Sequence, residues 1–223
     1  MKFNIDIVEN HLILLYRESR FLIDTGSPVS ISKSSEIEIF NQPHATLQKV
    51  PGWDIDDFSN AIGSDIDGLI GGDILKHYQF QVNCQDRSFS ILEPSSFKDL
   101  DSVDIKIFMG VPVIEIVLGR DQVRAFLDTG AKISYVNSRH VEELNPIGKR
   151  KDFHPLLSKE FETLIYELPI CFNHQKLNLT FGVLPQFLEE VLSIGDTEVI
   201  VGNDIFSHFS IIFDYSSKKI YCI

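Results

Sequence analysis

The sequence predicts an all-β protein built from two homologous lobes, and three observations support this. Short alternating apolar segments, typical of half-buried strands, outnumber helical patterns. The tripeptide Asp-Thr-Gly occurs twice, at Asp24–Gly26 and at Asp128–Gly130, each time behind an apolar run. A second block, which begins at Asp67, recurs from Glu198 onward. Because blocks repeated in the same order indicate internal duplication, each lobe is predicted to carry one copy of both.

The predicted strands are short apolar runs bounded by turn residues. In chain order they are Asn4–Val8, His11–Tyr16, Phe21–Ile23, Val29–Ser32, Val111–Leu118, Arg124–Leu127, Lys132–Val136, Glu162–Leu168 and Lys176–Phe181. Three short stretches are predicted to be helical, namely Asp54–Ser64, Ser138–Leu144 and Gln186–Ser193. So few helices favour closed or sandwich-like β lobes.

The repeated blocks match beyond their cores. The first Asp-Thr-Gly lies within Phe21–Ile31 and the second within Ala125–Tyr135, and both segments read as a strand, a tight turn and a second apolar strand. The second block contains an apolar-apolar-Gly sequence that ends at Gly71 in one half and at Gly202 in the other. Each half therefore holds the same two motifs in the same order.

This pair of motifs resembles the signature of the aspartic peptidases. In that superfamily, Asp-Thr-Gly is followed by a small residue, here Ser27 or Ala131, and later by apolar-apolar-Gly. Pepsin-like chains carry the signature twice, whereas retropepsins carry it once and dimerise. Since each half is about the size of a retropepsin, the chain resembles a tandem, single-chain retropepsin-like protein. The resemblance implies the acid-protease fold, with two homologous β-barrel lobes, an active-site cleft between them and no obligate dimer.

The resemblance also implies that Asp24 and Asp128 are the catalytic pair. Peptide hydrolysis needs a base for the water and an acid for the substrate, and two adjacent carboxyls supply both because they cannot easily both ionise. An aspartic endopeptidase acting on peptides or proteins, with no metal or organic cofactor, is expected. Small or hydroxyl-bearing residues are expected to support the active-site loops: Thr25, Gly26, Ser27, Thr129, Gly130, Ala131, Gly71 and Gly202.

These supporting residues have expected roles. The glycines should admit backbone N–H groups to the carboxylates and keep bulk from separating the acids. Thr25 and Thr129 should hydrogen-bond across to the opposite lobe. Ser27 offers Asp24 a hydroxyl donor that Asp128 lacks, so our hypothesis is that the first acid holds the charge and the second holds the proton. Two further carboxylates, Asp73 and Asp204, are interpreted as N-caps of short helices.

The halves differ between their two motifs. Gly71 follows Asp24 by 47 positions, whereas Gly202 follows Asp128 by 74, so the first half is shorter by 27. In the resembled enzymes this interval holds the flap, a hairpin that folds over the substrate. One flap is therefore predicted, in the C-terminal half, with substrate-binding candidates His154, Leu156, Leu157 and Phe161.

The flap hairpin is predicted to consist of Phe153–Phe161 and Glu162–Leu168, with its tip at His154–Lys159. The N-terminal half offers only Glu36–Val50, which predicts a reduced flap region. Trp53 is interpreted either as part of the opposite wall of the cleft or as an ordinary packing residue.

The predicted domains are an N-terminal lobe at 1–93, a polar, turn-prone linker at 94–103 and a C-terminal lobe at 104–223. The net charge of −12 disfavours a nucleic-acid partner. The one basic run, Lys149–Lys151, is interpreted as a solvated loop. Three cysteines without metal-ligand spacing, and no apolar stretch of signal-peptide or membrane-spanning length, favour a cytoplasmic protein without membrane association.

Two alternatives to the peptidase stay open at this point. A proteolytically inactive module of the same fold could bind an extended peptide, as the reduced first-half flap region favours. A purely structural two-lobe protein is disfavoured because buried paired carboxylates cost stability. If the chain is a cytoplasmic peptidase, its activity is expected to extend toward weakly acid or neutral pH.

Overall fold

The chain folds predominantly into β-strands, as seen in a computed structural model that describes residues 1–93, 97, 99–157 and 160–223. Parts of the predicted linker (94–96 and 98) and of the predicted flap tip (158–159) lie outside the described residues. The nine predicted strands are all present, with ends shifted by up to a few residues. The all-β prediction is confirmed.

The first half contains eleven described strands and two helices. The strands are β1 Lys2–Val8, β2 His11–Tyr16, β3 Ser19–Ile23, β4 Ile31–Ser32, β5 Glu36–Ile39, β6 Gln42–Ala45, β7 Lys49–Val50, β8 Trp53–Asp54, β9 Gly68–Ile70, β10 Gln79–Asn83 and β11 Ser88–Ile91. The helices are α1 Ile55–Ile62 and α2 Gly72–Leu75. Asp54 caps α1 by accepting the backbone N–H groups of Asp56 and Asp57, which explains why the helix begins there.

The second half contains eleven described strands, and its central strands are longer. The strands are β12 Ser102–Asp104, β13 Lys106–Phe108, β14 Val111–Leu118, β15 Asp121–Leu127, β16 Ser134–Val136, β17 Gly148–Asp152, β18 Phe161–Phe172, β19 Gln175–Val183, β20 Val199–Val201, β21 Ile211–Asp214 and β22 Lys219–Cys222. The described residues of this half also form one α-helix, α3 Gln186–Ile194, and two 3-10 helices, Ser138–His140 and Asn203–Ser207.

Two sequence predictions are corrected here. The predicted helix Ser138–Leu144 is only the 3-10 turn Ser138–His140, whose first residues are held by the Asn137 side chain. Lys149–Lys151 is not a loop but the centre of β17, the edge strand of its sheet. Charged side chains on an edge strand discourage pairing with another chain, which is a physical reason for a basic run there.

The strands that carry the repeated motifs pair in the same way in the two halves. Strand β3 runs parallel to β9, and β15 runs parallel to β20, with three paired residues in each case. Strand β4 then pairs antiparallel with β9, and β16 pairs antiparallel with β20. Each half thus brings the end of its Asp-Thr-Gly strand beside its apolar-apolar-Gly strand.

The halves are joined through a shared sheet. The order of the ten-stranded sheet is β12-β22-β21-β10-β11-β1-β2-β3-β9-β4, so the terminal hairpins of both halves meet where β10 pairs antiparallel with β21. In the eight-stranded sheet, an additional β14–β18 pairing closes six strands into a ring. The second half therefore contains a closed ring of paired strands, whereas the described strands of the first half show no such closing pair.

The core spans this junction. Phe80 of β10 and Phe213 of β21 are fully buried, and their rings stack with centroids 4.7 Å apart. Phe89 stacks on Phe80 at 5.3 Å. Burying a side chain of this size stabilises the fold by about 1.5–3 kcal/mol, so the Phe80–Phe213 stack adds to the backbone pairing that joins the halves.

Cys84, Cys171 and Cys222 are free and partly buried, and burial raises the pKa of Cys84 to about 11 and that of Cys222 to about 12. In the described part of the chain, no helix combines the length and the apolar character needed to cross a bilayer.

Candidate active site

The two Asp-Thr-Gly loops begin where the parallel strand pairs end. The backbone N–H of Asp24 donates to the Ile70 carbonyl at 3.0 Å, and that of Asp128 donates to the Val201 carbonyl at 2.9 Å. These bonds extend the β3–β9 and β15–β20 pairings by one residue. The fold therefore fixes both acids at equivalent backbone positions.

The two loops face each other so closely that each glycine lies against the opposing acid. A Cβ placed on Gly26 would lie 2.2 Å from Cγ of Asp128, and one placed on Gly130 would lie 2.5 Å from Cγ of Asp24. The predicted pair of carboxyls is thus brought together. A methyl group at either glycine would occupy the space of the opposing carboxyl.

Backbone donors hold each carboxyl. Asp24 Oδ1 accepts the Ser27 N–H at 2.8 Å, and Asp128 Oδ1 accepts the Gly130 N–H at 2.7 Å. Both acids remain partly exposed to solvent although protein surrounds them. A water can therefore reach a pair whose orientation the backbone has already fixed.

Burial controls the ionisation of the pair. It raises the pKa of Asp24 well above its usual range, and the charge of Asp128 raises that pKa further. Burial also raises the pKa of Asp128, while the Gly130 N–H opposes that rise. Two adjacent carboxyls in this setting retain one proton between them at pH values where isolated carboxyls have lost theirs.

The proposed asymmetry between the acids loses its premise. The Ser27 hydroxyl donates to the Val29 carbonyl at 2.7 Å and not to Asp24. The short side chain satisfies its donor within its own turn, as serine commonly does. The difference between Ser27 and Ala131 therefore gives no basis for assigning the charge to Asp24 and the proton to Asp128.

Thr25 and Thr129 interlock the loops, as expected from the sequence. Both are fully buried. The Thr25 N–H donates to Thr129 Oγ1 at 2.9 Å, and the Thr129 N–H donates to Thr25 Oγ1 at 3.0 Å. The Thr25 hydroxyl donates to the Leu127 carbonyl at 2.7 Å, and that of Thr129 donates to Ile23 at 2.8 Å. Four hydrogen bonds thus join the halves directly beneath the acids.

Gly71 and Gly202 allow a second layer to pack under the loops. A Cβ on Gly71 would lie 2.5 Å from the Val29 carbonyl oxygen, and one on Gly202 would lie 2.4 Å from that of Ile133. The role predicted for both glycines, close packing beneath the loops, agrees with this geometry.

The N-cap interpretation of Asp73 and Asp204 is wrong. Neither α2 nor the 3-10 helix Asn203–Ser207 has a side-chain cap. Asp73 instead accepts the Ser30 hydroxyl at 2.6 Å, and Asp204 accepts the Ser134 hydroxyl at 2.7 Å. The two acids reach back to the strand that leaves each loop, because their side chains point inward from the first helical turn.

The same two serines also hold the apolar-apolar-Gly segments. Ser30 Oγ accepts the Gly71 N–H at 2.9 Å, and Ser134 Oγ accepts the Gly202 N–H at 3.0 Å. Sequence reasoning missed these serines, although each lies six positions after its motif aspartate in both copies. That repeated offset is the sequence signal that could have identified them.

A hairpin occupies the interval of the predicted flap, with arms other than those predicted. Strands β17 and β18 pair antiparallel from Gly148↔Ile165 to Asp152↔Phe161, so residues 153–157 lie in the connection and not in the first arm. We refer to residues 153–157 as the strap. The strands begin earlier than predicted because the basic run Lys149–Lys151 supplies the first arm.

The candidate substrate-binding residues lie in or beside the strap. The His154 side chain accepts the Leu156 N–H at 3.2 Å, and burial lowers the pKa of this histidine to about 4, so its ring is neutral near neutral pH. Leu156 is exposed, whereas Leu157 and Phe161 are partly buried against the apolar cluster around α3. Among these candidates, Leu156 is thus the free apolar side chain, whereas Leu157 of the strap and Phe161 of β18 are packed.

The strap reaches the first half at Trp53. The indole stacks on Phe153 with ring centroids 5.2 Å apart and planes 19° apart, and its N–H donates to the Leu157 carbonyl at 3.4 Å. Phe153 packs into the first-half apolar cluster that contains Phe58. Trp53 is therefore neither an isolated wall nor an ordinary core residue, since it holds the strap across the boundary between the halves.

The first half has no hairpin of this size in the corresponding interval. It contains the small hairpins β5–β6 and β7–β8, followed by α1. The turn of β5–β6 lies at Phe40 and Asn41, both with positive φ.

Other residues near the loops were missed by sequence reasoning. The His11 ring contacts the Gly130 carbonyl through Nδ1 at 3.1 Å and is 2% exposed. Asn203 donates to the carbonyls of Asn10 and Thr129, both at 2.8 Å. Neither residue has an identical counterpart in the other copy, so the duplication gave no indication of them.

Comparisons with known proteins give partial similarities. No family model matches the chain, and neither does any curated protein. The simian foamy virus (mac) protease structure is 17% identical, with a TM-score of 0.32, over 42% of this chain and 90% of that one. A retropepsin-like aspartic protease from Rickettsia conorii is 12% identical, with a TM-score of 0.42, over 56% of this chain and 91% of that one.

A third solved structure is the foamy viral protease-reverse transcriptase in complex with an RNA/DNA hybrid. It is 17% identical, with a TM-score of 0.33, and the match covers 50% of this chain but only 12% of that protein.

Proposed function

We propose that this chain is an aspartic-type endopeptidase that works as a single-chain monomer. The observation that carries the proposal is the direct opposition of Asp24 and Asp128, each glycine of one loop lying against the acid of the other. Both acids have raised pKa values through burial, and both keep some exposure to solvent. A partly exposed pair that shares a proton suits water activation better than it suits structural support.

The proposed mechanism uses the two carboxyls in opposite protonation states. The ionised carboxyl takes a proton from water, whose oxygen attacks the peptide carbonyl carbon. The protonated carboxyl gives its proton to the carbonyl oxygen, so a neutral gem-diol intermediate forms. The carboxyl that received the water proton then protonates the leaving amine while the C–N bond breaks, and the other carboxyl recovers a proton from the diol. The Thr25–Thr129 interlock keeps the two acids at a fixed separation throughout.

The substrate is proposed to lie between residues 1–93 and 104–223, acting as lobes, and under the strap. His154, Leu156, Leu157 and Phe161 remain the proposed contacts. Leu156 is the exposed apolar member of this set, which favours an apolar subsite near it. No cofactor, metal or nucleic acid forms part of the proposal.

A peptide-binding module without catalysis is the second candidate. One observation favours it: the strap already contacts Trp53 of the first half, and the first half has no large hairpin of its own. A cleft crossed by a docked strap could hold an extended peptide without completing catalysis.

Cleavage of an unfolded protein or a peptide library across pH 3 to 8 separates the candidates. The wild type is expected to cleave, and Asp24→Asn is expected to be inactive. Asp121→Asn, at an exposed acid that begins β15, is the matched control and should cleave like the wild type. Inhibition by a statine-type transition-state analogue would strengthen the peptidase, whereas a folded wild type that binds peptides and cleaves none across this range supports the binding module.

A further inference from the structure

A buried ion pair lies where the hairpin leaves the second half. Lys132 Nζ is 3.2 Å from Asp152 Oδ1, and the two side chains are only 15% and 6% exposed. Lys132 Nζ also donates to the Lys151 carbonyl at 2.7 Å. Two charges with so little exposure lose much of their hydration, so the pair has to be compensated by well-formed contacts.

Asp152 has those contacts. Its Oδ1 accepts the Phe153 N–H at 2.8 Å, and its Oδ2 accepts the hydroxyl of Tyr135 in β16. Tyr135 is buried, and its ring lies against Gly182, where an added Cβ would come within 2.6 Å of it. The carboxylate is therefore bound from three directions, by a side chain of the loop, a side chain of β16 and the first amide of the strap.

The ion pair connects the strap with the second Asp-Thr-Gly loop. Lys132 lies four positions after Asp128, and its carbonyl accepts the Asn10 side-chain amide from the first half. On the other side of the pair, Phe153 directly follows Asp152 and stacks on Trp53. A continuous series of contacts thus runs from the loop of Asp128 to the strap and on to the first half.

The first half lacks the corresponding residues. Pro28 occupies the position that matches Lys132, and Ile31 occupies the position that matches Tyr135. The half without the long hairpin is also the half without the ion pair. A buried ion pair adds little net stability compared with apolar packing. Its presence beside this hairpin therefore points to a role in positioning the hairpin.

We propose that Asp152 is a positioning residue that fixes the strap relative to Asp128, so that residues 153–157 cross the cleft at a set height above the acids. The proposal rests on the proposed function for its catalytic consequence, but the position of the strap can be measured independently. Trp53 is the only tryptophan of the chain, and it contacts the strap at Phe153 and Leu157. Its fluorescence therefore reports strap docking whether or not the chain cleaves peptides.

The test compares Asp152→Asn, Lys132→Met and the double variant with the exposed pair of the same hairpin, Lys149 and Glu162. That control pair is 2.8 Å apart with side chains 63% and 53% exposed, so Lys149→Met/Glu162→Gln should change little. In Asp152→Asn we expect a red-shifted Trp53 emission and a roughly twofold larger acrylamide quenching constant, because the strap opens locally. If Asp152→Asn does not fold, the double variant, which leaves no unpaired buried charge, replaces it.

Activity gives the second readout. Asp152→Asn is expected to lower kcat/KM about tenfold, mainly through a higher KM, with an unchanged pH profile of kcat because the acids themselves are untouched. A wild-type quenching constant in both Asp152→Asn and the double variant overturns the proposal, whatever the activity. An undocked Trp53 with unchanged KM in an active enzyme also overturns it, since the strap would then have no bearing on substrate. If the wild type cleaves nothing, the proposed function fails and the fluorescence alone decides the role of Asp152.

Discussion

Thr25 and Thr129 donate their backbone N–H groups to each other's hydroxyls, at 2.9 and 3.0 Å, across the boundary between the two halves. Each hydroxyl in turn donates to a backbone carbonyl of the opposite half. The backbone N–H and the hydroxyl of both buried threonines therefore have their partners in the opposite half. The spacing of the two acids depends on bonds that neither half can make alone.

Removing one of these hydroxyls should lower the free energy of unfolding by more than the loss of a single hydrogen bond would. In Thr25→Val the Thr129 N–H and the Leu127 carbonyl both lose their partner, and we expect the free energy of unfolding to fall by about 2 kcal/mol or more. Thr25→Ser keeps the hydroxyl and is the matched control, with an expected loss of about 1 kcal/mol for the methyl group. Urea unfolding followed by circular dichroism measures both. Equal losses in the Val and Ser variants would contradict the interlock.

A methyl group at Gly26 should separate the acids. Its Cβ would lie 2.2 Å from Cγ of Asp128, so the facing loop has to move. We expect Gly26→Ala to lower kcat at least about 100-fold, since misplacement by about 1 Å can have that effect. Gly148→Ala is the control, because its Cβ would meet Ile165 at an ordinary 3.5 Å. Steady-state kinetics on the same peptide compares the two variants. A near-normal kcat in Gly26→Ala would count against Asp24 and Asp128 as the catalytic pair.

The serine pair offers a test of the duplication itself. Ser30→Ala deprives the buried Gly71 N–H of its acceptor, and Ser134→Ala does the same to Gly202. We expect both variants to lose about 1–3 kcal/mol of stability, by similar amounts. Ser207→Ala, an exposed serine in the last turn beyond Gly202, should change the free energy of unfolding by less than about 0.5 kcal/mol. Chemical denaturation decides, and a loss in only one of the two buried variants would refute their equivalence.

The duplication explains how much of the site was predictable. Features present in both copies could be inferred from sequence, because one half supports the interpretation of the other: the paired acids, the threonine bonds and the four glycines. The same comparison could have exposed Ser30 and Ser134. A rotamer choice such as that of the Ser27 hydroxyl, which turns to Val29, depends on local geometry that no repeated pattern records.

Features present in only one half were harder to predict from the sequence. The hairpin was expected from the longer interval, but its arms were misplaced because Lys149–Lys151 has the composition of a loop and pairs as an edge strand. Asp152 belongs to β17, whereas its partners are Lys132, in the loop before β16, and Tyr135 of β16. The sequence alone does not indicate that these segments lie together. The β10–β21 junction likewise depends on how the halves dock, which hydrophobic periodicity does not encode.

The pH dependence of cleavage should reflect the pair of acids. Activity requires one proton on the pair, so it falls when the second proton binds and falls again when the last proton leaves. Because burial raises the pKa of both acids, we expect the upper limb of kcat/KM to lie above the usual carboxyl range. Burial also raises the pKa of Asp204, to about 6. The pH profile of kcat/KM for the Asp204→Asn variant therefore tests whether the upper limb comes from the Asp24–Asp128 pair or from Asp204. A profile that rises continuously to pH 8 would exclude this pair as the catalytic group.

His11 should make stability depend on pH in the opposite direction to the acids. Burial lowers its pKa to about 4, an effect that Lys132 reinforces and that Asp152, Glu9 and the Gly130 carbonyl oppose. Because the unfolded chain binds this proton below pH 6.5 and the folded chain resists it, the stabilisation is fully present above pH 6.5 and is lost as the pH falls toward 4. The full shift corresponds to about 3 kcal/mol.

The raised pKa values of Asp24 and Asp128 oppose this trend, since the folded state holds protons there that the unfolded chain releases. The His11 contribution is therefore visible only as a difference between variants. His11→Gln keeps a side-chain N–H for the Gly130 carbonyl but does not titrate. We expect the wild type to lose stability relative to His11→Gln as the pH is lowered from 7 to 4, in urea unfolding at each pH. Parallel curves would mean that His11 is protonated as easily in the folded chain as in the unfolded one, contrary to its burial beside Gly130.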